Sequence, residues 1–218
     1  MTDAIVLAIV VPIVSAALTA VAGIRFERTG WPMATLTSIA LLGLSGNILL
    51  TVLEQGRQSY EVAGFAPPAG IELVGDALSA PLSVLIAVVA LGVLGYARRA
   101  GPRGNSFYVV FLLLVGGLNG VTLTGDLFNM YVFLEITGLA AYALVASGDS
   151  TRSAVASLKY LILGTVGASL FLLGVGYAYM ATGTLNMVDL ADQFATAGYG
   201  SRLVLASFGL IVTGLAVK

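Results

Sequence analysis

Seven apolar stretches, most of them about 20 residues long, constrain the fold of this chain more than any other feature. They are Ala4–Ile24, Ala34–Leu53, Ala77–Ala97, Phe107–Leu123, Leu127–Ala146, Ala154–Ala181 and Leu203–Lys218. A bilayer core is about 30 Å thick, so a spanning helix needs about 20 mostly apolar residues. Inside it the backbone must satisfy its own hydrogen bonds, which leaves helices and closed barrels. The alternation of a membrane β-strand is absent, so helices are expected. The fourth span is short, and the sixth is long enough to tilt or to extend past the lipid. The composition agrees: 58% of residues are hydrophobic and 10% charged, with a mean hydropathy of +0.99. A soluble domain carries about 25% charged residues. A water-surrounded globule and a disordered segment are both excluded. The expected fold class is all-α, a polytopic membrane protein with about seven transmembrane helices.

Net charge is −1, from 10 Lys and Arg against 11 Asp and Glu. No basic face for nucleic acid is present. The chain has no cysteine and no histidine. Disulfides, thiolate and imidazole nucleophiles, haem and Fe–S ligation, and Cys/His zinc sites are thereby removed. No metal or other cofactor is expected, and no catalytic constellation of an enzyme appears. Proton chemistry must use carboxylates, lysines, hydroxyls and water.

Loop arginines set the expected orientation. Arg25, Arg28, Arg98, Arg99, Arg103 and Arg152 follow the odd-numbered spans, whereas only Arg57 and Arg202 lie on the other side. This predicts an outside N-terminus and a cytoplasmic Arg98-Arg99-Arg103 loop. Trp31 and Tyr96 suit the cytoplasmic interface. The first span is not expected to be a signal peptide, because Thr2-Asp3 precedes it and the arginines follow it. The long outer loop Glu54–Asp76 contains Pro67-Pro68, which forbids helix. Ile71–Val74 is expected as a short strand, making this loop a small β-hairpin. Thr182–Ser201 reads as a second long outer connection, polar with Asp189 and Asp192. Gly116 and Gly120, and Gly164, Gly167, Gly174 and Gly176, would let helices approach closely, although glycine is also ordinary in such helices.

An ionisable group inside a span costs at least ~2.5–3.5 kcal/mol and is a functional hypothesis by default. Glu135 is the ninth residue of the fifth span, roughly 12 Å from one end and 16 Å from the other. It is either a carboxyl held protonated by neighbouring helices or part of an ion path. Lys159 lies roughly 8 Å into the sixth span. It either snorkels to the interface or is a buried lysine that exchanges protons. Lys218 lies roughly 22 Å into the seventh span. It either anchors a helix end at the inner interface or is a mid-membrane charge, in which case the natural chain is expected to continue beyond it. Asp126 is expected to cap the fifth helix, and Asp149, Ser150 and Thr151 suit a cap for the sixth.

The segment Gly125-Asp126-Leu127-Phe128-Asn129-Met130-Tyr131-Val132-Phe133-Leu134-Glu135-Ile136 resembles the fifth helix of the antiporter-like, proton-translocating membrane subunits. That superfamily includes the D-type component of multisubunit Mrp-type Na+/H+ antiporters, the membrane-arm subunits of respiratory complex I and membrane-bound hydrogenase subunits. Gly64 to Ser79 resembles its outer loop before the third helix, and Leu158-Lys159-Tyr160 the start of its sixth helix. Thr182 to Met187 resembles the loop that follows, in the style of the antiporter D-type component. The resemblance covers essentially the whole chain. It implies that Glu135, Lys159 and Lys218 transfer protons, with Lys218 at the break of a discontinuous seventh helix. It implies a 14-helix fold of two inverted repeats, of which this chain holds an incomplete first half. Residues 1–218 would then be one membrane domain: a three-helix segment, 1–100, and a partial first repeat, 101–218. The implied function is a subunit of a monovalent cation/proton antiporter; the alternative is a redox-driven pump subunit of a complex I-like or hydrogenase-like assembly. The implied partners are other membrane subunits, the lipid bilayer, protons and Na+ or another cation, in the inner (plasma) membrane.

Overall fold

The computed structural model describes residues 3–26, 28–65, 67, 70–101, 104–148, 150–198 and 200–218. The helices are α1 (Asp3–Arg25), α2 (Gly30–Gln55), α3 (Ser79–Ala100), α4 (Asn105–Leu123), α5 (Leu127–Ala146), α6 (Thr151–Thr182), α7 (Met187–Ala197) and α8 (Arg202–Val217). α1 to α6 are each long and apolar enough to cross a membrane, and α8 is a shorter apolar helix. The protein is a multi-pass helical membrane protein. Each expected span coincides with one helix to within a few residues.

Local chemistry sets the helix ends. The Asn129 backbone N–H donates to Asp126 Oδ1 at 2.7 Å, so Asp126 caps α5 as expected. Ser150 caps α6, its Oγ accepting from the Ser153 N–H at 3.1 Å. Of the other two candidates there, Thr151 is the first residue of the helix and Asp149 lies outside the described residues. α6 stops at Gly183, whose φ of +74° is a left-handed conformation that a side chain would oppose. The Thr182–Ser201 connection holds a helix that its polar composition hid. Asn186 accepts from the backbone N–H groups of Val188 and Asp189 at 3.0 and 3.3 Å, and so starts α7.

Between α2 and α3 the expected hairpin forms. β1 (Gln58–Glu61) pairs antiparallel with β2 (Glu72–Gly75), with Gln58 opposite Gly75 and Glu61 opposite Glu72. The hairpin is fastened to the later half of the chain. Leu73 bridges to Thr124, and Asp126 bridges to Asn186. The Glu72 side chain is buried, accepting from Ser59 Oγ at 2.6 Å and Asn186 Nδ2 at 2.8 Å, with Arg57 Nη2 at 3.4 Å. At α3's start, Asp76 Oδ1 accepts from the backbone of Leu78 and Ser79 at 2.9 and 2.8 Å. The Ser79 backbone bond, foremost among its hydrogen bonds, holds this carboxyl below the usual carboxylate range against a smaller opposing push from burial. A depressed folded-state value contributes stability above pH ~4 that is lost as pH falls through the folded value. Asp76→Asn is therefore expected to shrink the gap in thermal stability between about pH 6 and pH 3. Equal pH slopes in detergent for both proteins would refute this.

α1 to α4 share the main core. Ile5, Ala8 and Ile9 of α1, Leu41 and Ile48 of α2, Ala87 and Leu94 of α3, and Phe111, Leu112 and Leu123 of α4 all lie in it. α5 lies against α4, α6 against α5, and α8 against α6. The arginine-bearing end is tied by the Trp31 indole N–H, which donates to the Leu94 carbonyl at 3.0 Å, and by the Arg98 guanidinium, 4.2 Å over that ring.

Where α2, α3 and α4 meet, the apolar core holds a closed polar triad. Ser83 Oγ donates to Asn119 Oδ1 at 2.7 Å, so its single proton is spent. Ser45 must then donate to Ser83 across the 2.8 Å contact. Asn119 Nδ2 donates to the Val115 carbonyl at 3.0 Å. Ser83→Ala leaves two buried partners unmatched, and is expected to cost about 1–3 kcal/mol. Thermal unfolding in detergent reads this as a drop of several degrees; an unchanged midpoint would contradict it.

Candidate functional site

The site lies in the α5–α6–α8 half. α5 is apolar around its whole circumference except at a few positions, and Glu135 is the single charge within it. α8 enters from the hairpin end and its last turn reaches the middle of α5 and α6. There the Lys218 ammonium donates to Glu135 Oε1, forming an ion pair. The lysine side chain is 12% exposed and the glutamate 31%. Two of the three expected residues are thus brought together although 83 positions separate them.

Glycines admit this approach. A Cβ on Gly167 of α6 would stand 2.8 Å from the Gly214 carbonyl oxygen and 3.1 Å from the Lys218 backbone nitrogen. One on Gly214 would stand 2.6 Å from the Phe171 nitrogen. Further along, Ser207 Oγ donates to the Gly174 carbonyl at 2.9 Å and fixes the register of α8 on α6. Gly164 faces Tyr142, whereas an added Cβ on Gly176 meets nothing within 4 Å among the described residues. The spacing of Gly116 and Gly120 suggests one shared contact, but the two serve different helices. Gly116 faces Ile13 of α1 and Gly120 faces Phe133 of α5. Gly117 is the residue that accompanies Gly120 in meeting α5, at Thr137. α4 is flanked on two sides, so equal spacing does not mean an equal partner.

Beside the pair is a cavity of about 220 Å³, room for several waters. Thr137, Gly138, Tyr142, Tyr160 and Lys218 line it, with Leu134, Ala141 and Leu215. Neither Tyr142 nor Tyr160 stands out as a site residue in the sequence. A helical wheel from Glu135 does find Tyr142, seven residues on and on the same face. No group of three or more Asp or Glu side chains able to hold a metal ion occurs among the described residues.

Lys159 is placed differently. Its side chain is exposed on the outer face of α6, and it makes no hydrogen bond or ion pair among the described residues. It does not join the Glu135–Lys218 pair in this structure. The Asp126 carboxyl, at the entry to α5, is pushed up by burial, against the pull of the Asn129 and Phe128 backbone N–H groups.

Residues 124–218, which contain Glu135, Lys159 and Lys218, match the family described as NADH:quinone oxidoreductase/Mrp antiporter, TM. Residues 124–218 belong to that family. The chain's relatives sit in both branches. Over 187 residues, 83% of the chain, it is 47% identical to the N component of the NADH-quinone oxidoreductase of Desulforudis audaxviator, covering 37% of that protein. Over 99% of the chain it is 34% identical to the D component of the Na(+)/H(+) antiporter of Bacillus subtilis, covering 44% of that protein. The fold superposes on a chain of the membrane-bound sulfane sulfur reductase, an archaeal respiratory membrane complex, with a TM-score of 0.91 and 33% identity, over 99% of this chain and 44% of that one. The chain therefore spans less than half the length of these antiporter-family relatives.

Proposed function

We propose that this chain is the proton-handling part of a D-type component of a multisubunit monovalent cation/proton antiporter in the plasma membrane. The observation that carries the reading is the ion pair of Glu135 and Lys218 inside a bundle of membrane-spanning helices, beside a cavity large enough for water. Similarity along nearly the whole chain to the D component of a Na(+)/H(+) antiporter supports it. In the resting pair the carboxylate and the ammonium neutralise each other. A proton arriving on Glu135 removes that counter-charge, and Lys218 Nζ then gives up its own proton. The Glu135 proton passes to the amine, and the pair is restored. One proton has crossed, and each group ends as it began. Lys159 belongs to the same path in the assembled complex. The arginine-bearing end lies in the cytoplasm. Residues 1–100 act as a supporting three-helix segment, and 101–218 as part of a first repeat.

The partners in this reading are other membrane subunits, with Na+ or another monovalent cation exchanged elsewhere in the assembly. A second reading, a redox-driven pump subunit, is favoured by the 47% identity to the N component of an NADH-quinone oxidoreductase. Everted vesicles carrying the assembled complex separate the two. With a pH gradient imposed, addition of Na+ or K+ is expected to collapse it. A gradient indifferent to both ions, but built by NADH oxidation in the same complex, would replace the first reading with the second.

A further inference from the structure

We propose that Tyr142 is a further member of the proton path, its phenol hydroxyl relaying protons between cavity water and the Glu135–Lys218 pair. The inference rests on the proton-transfer reading of that pair. Tyr142 follows Glu135 by two turns of α5, roughly 10 Å nearer the arginine-bearing end. It is 7% exposed. Its phenol crosses to α6 and fills the space left by the missing Cβ of Gly164. It also approaches the lysine. A Cβ on Gly138 would stand 3.1 Å from the Tyr142 hydroxyl oxygen and 3.4 Å from Lys218 Cε, so the two side chains converge on one point. Both line the same cavity of about 220 Å³.

Everything about this tyrosine is fixed except its hydroxyl. Its ring packs edge-on against Tyr160 with centroids 4.7 Å apart. Its backbone carbonyl accepts from Ser157 Oγ at 2.8 Å. The hydroxyl makes no hydrogen bond to protein among the described residues. The oxygen is not sealed in the core either: it reaches the cavity, where water can serve as its partner. A hydroxyl donates and accepts at once. A proton from cavity water bonds to the phenol oxygen as the O–H proton leaves toward the pair. Rotation of the new O–H resets the relay, and no phenolate forms.

The test is Tyr142→Phe in the full-length protein within its assembled complex, in membrane vesicles, alongside Glu135→Gln. Phenylalanine keeps the ring contact with Tyr160 and removes only the oxygen. We expect proton-coupled transport about tenfold slower, an unchanged melting temperature, and a larger H2O/D2O rate ratio as proton delivery becomes limiting. Wild-type rates for Tyr142→Phe with an inactive Glu135→Gln would overturn the relay and leave the pair's role standing. A slower rate with a lowered melting temperature and an unchanged isotope ratio would make Tyr142 a packing residue and overturn it too. Wild-type rates for both variants would overturn the reading of the pair, and the relay with it.

Discussion

Replacing Glu135 by glutamine in the full-length protein is expected to reduce proton-coupled transport to background while membrane abundance stays near wild type. Glutamine matches the size of glutamate and keeps a carbonyl for the Lys218 ammonium to donate to, so the α5–α8 contact survives. It cannot carry a proton between solvent and lysine. It also leaves Lys218 without a counter-charge in the bundle, where an uncompensated charge costs at least ~2.5–3.5 kcal/mol by insertion scales. A combined Glu135→Gln and Lys218→Gln variant removes that cost while remaining unable to transfer protons. The double variant is therefore expected to be at least as abundant as Glu135→Gln, and as inactive. A double variant no less abundant than the single one is what two directly coupled charges produce. Transport at the wild-type rate by Glu135→Gln, in vesicles holding comparable amounts of protein, would remove the pair from the mechanism.

How far the sequence foretells these features depends on how local each one is. The spans are local, because bilayer thickness sets their length. The Asp126 and Ser150 caps are local, because a short polar side chain bonds a backbone N–H within three residues. Glu135 stands out as the lone carboxylate of its span. Its partner is not a local matter: nothing in the residues between 135 and 218 encodes that α8 ends against α5, and only family resemblance leads to the pairing. The face that carries Lys159 is hidden because α6 is apolar nearly all round, which erases the period that would distinguish inside from outside. α7 is hidden for the opposite reason. Asp189, Asp192 and Gln193 make its segment look like a loop, although Met187, Leu190 and Phe194 recur at helical spacing behind the Asn186 cap. The hairpin is visible as a strand-like run, but its bond from Asn186 to the buried Glu72 joins positions 114 residues apart.

The second large effect is expected at a residue with no charge and no functional group. Gly167→Ala adds one methyl where α6 meets α8, and the nearest atoms are backbone: the Gly214 oxygen at 2.8 Å and the Lys218 nitrogen at 3.1 Å. A side chain could rotate away from that methyl, but a helix backbone cannot. α8 must shift as a body, and its last turn carries Lys218. Overpacking of this kind costs about 1–3 kcal/mol, which would appear as a lower melting temperature. The larger consequence is geometric, because Glu135 on α5 stays put while its partner moves. Proton transfer falls steeply with small displacements, so transport at least about tenfold slower is expected. Gly176→Ala is the control. It lies on the same helix with nothing within 4 Å of its added Cβ among the described residues, and helix propensity alone makes it neutral or slightly stabilising. If the alanine variants at 167 and 176 transport alike, the close α6–α8 crossing does not set the lysine's position, and the pair must be held by something else.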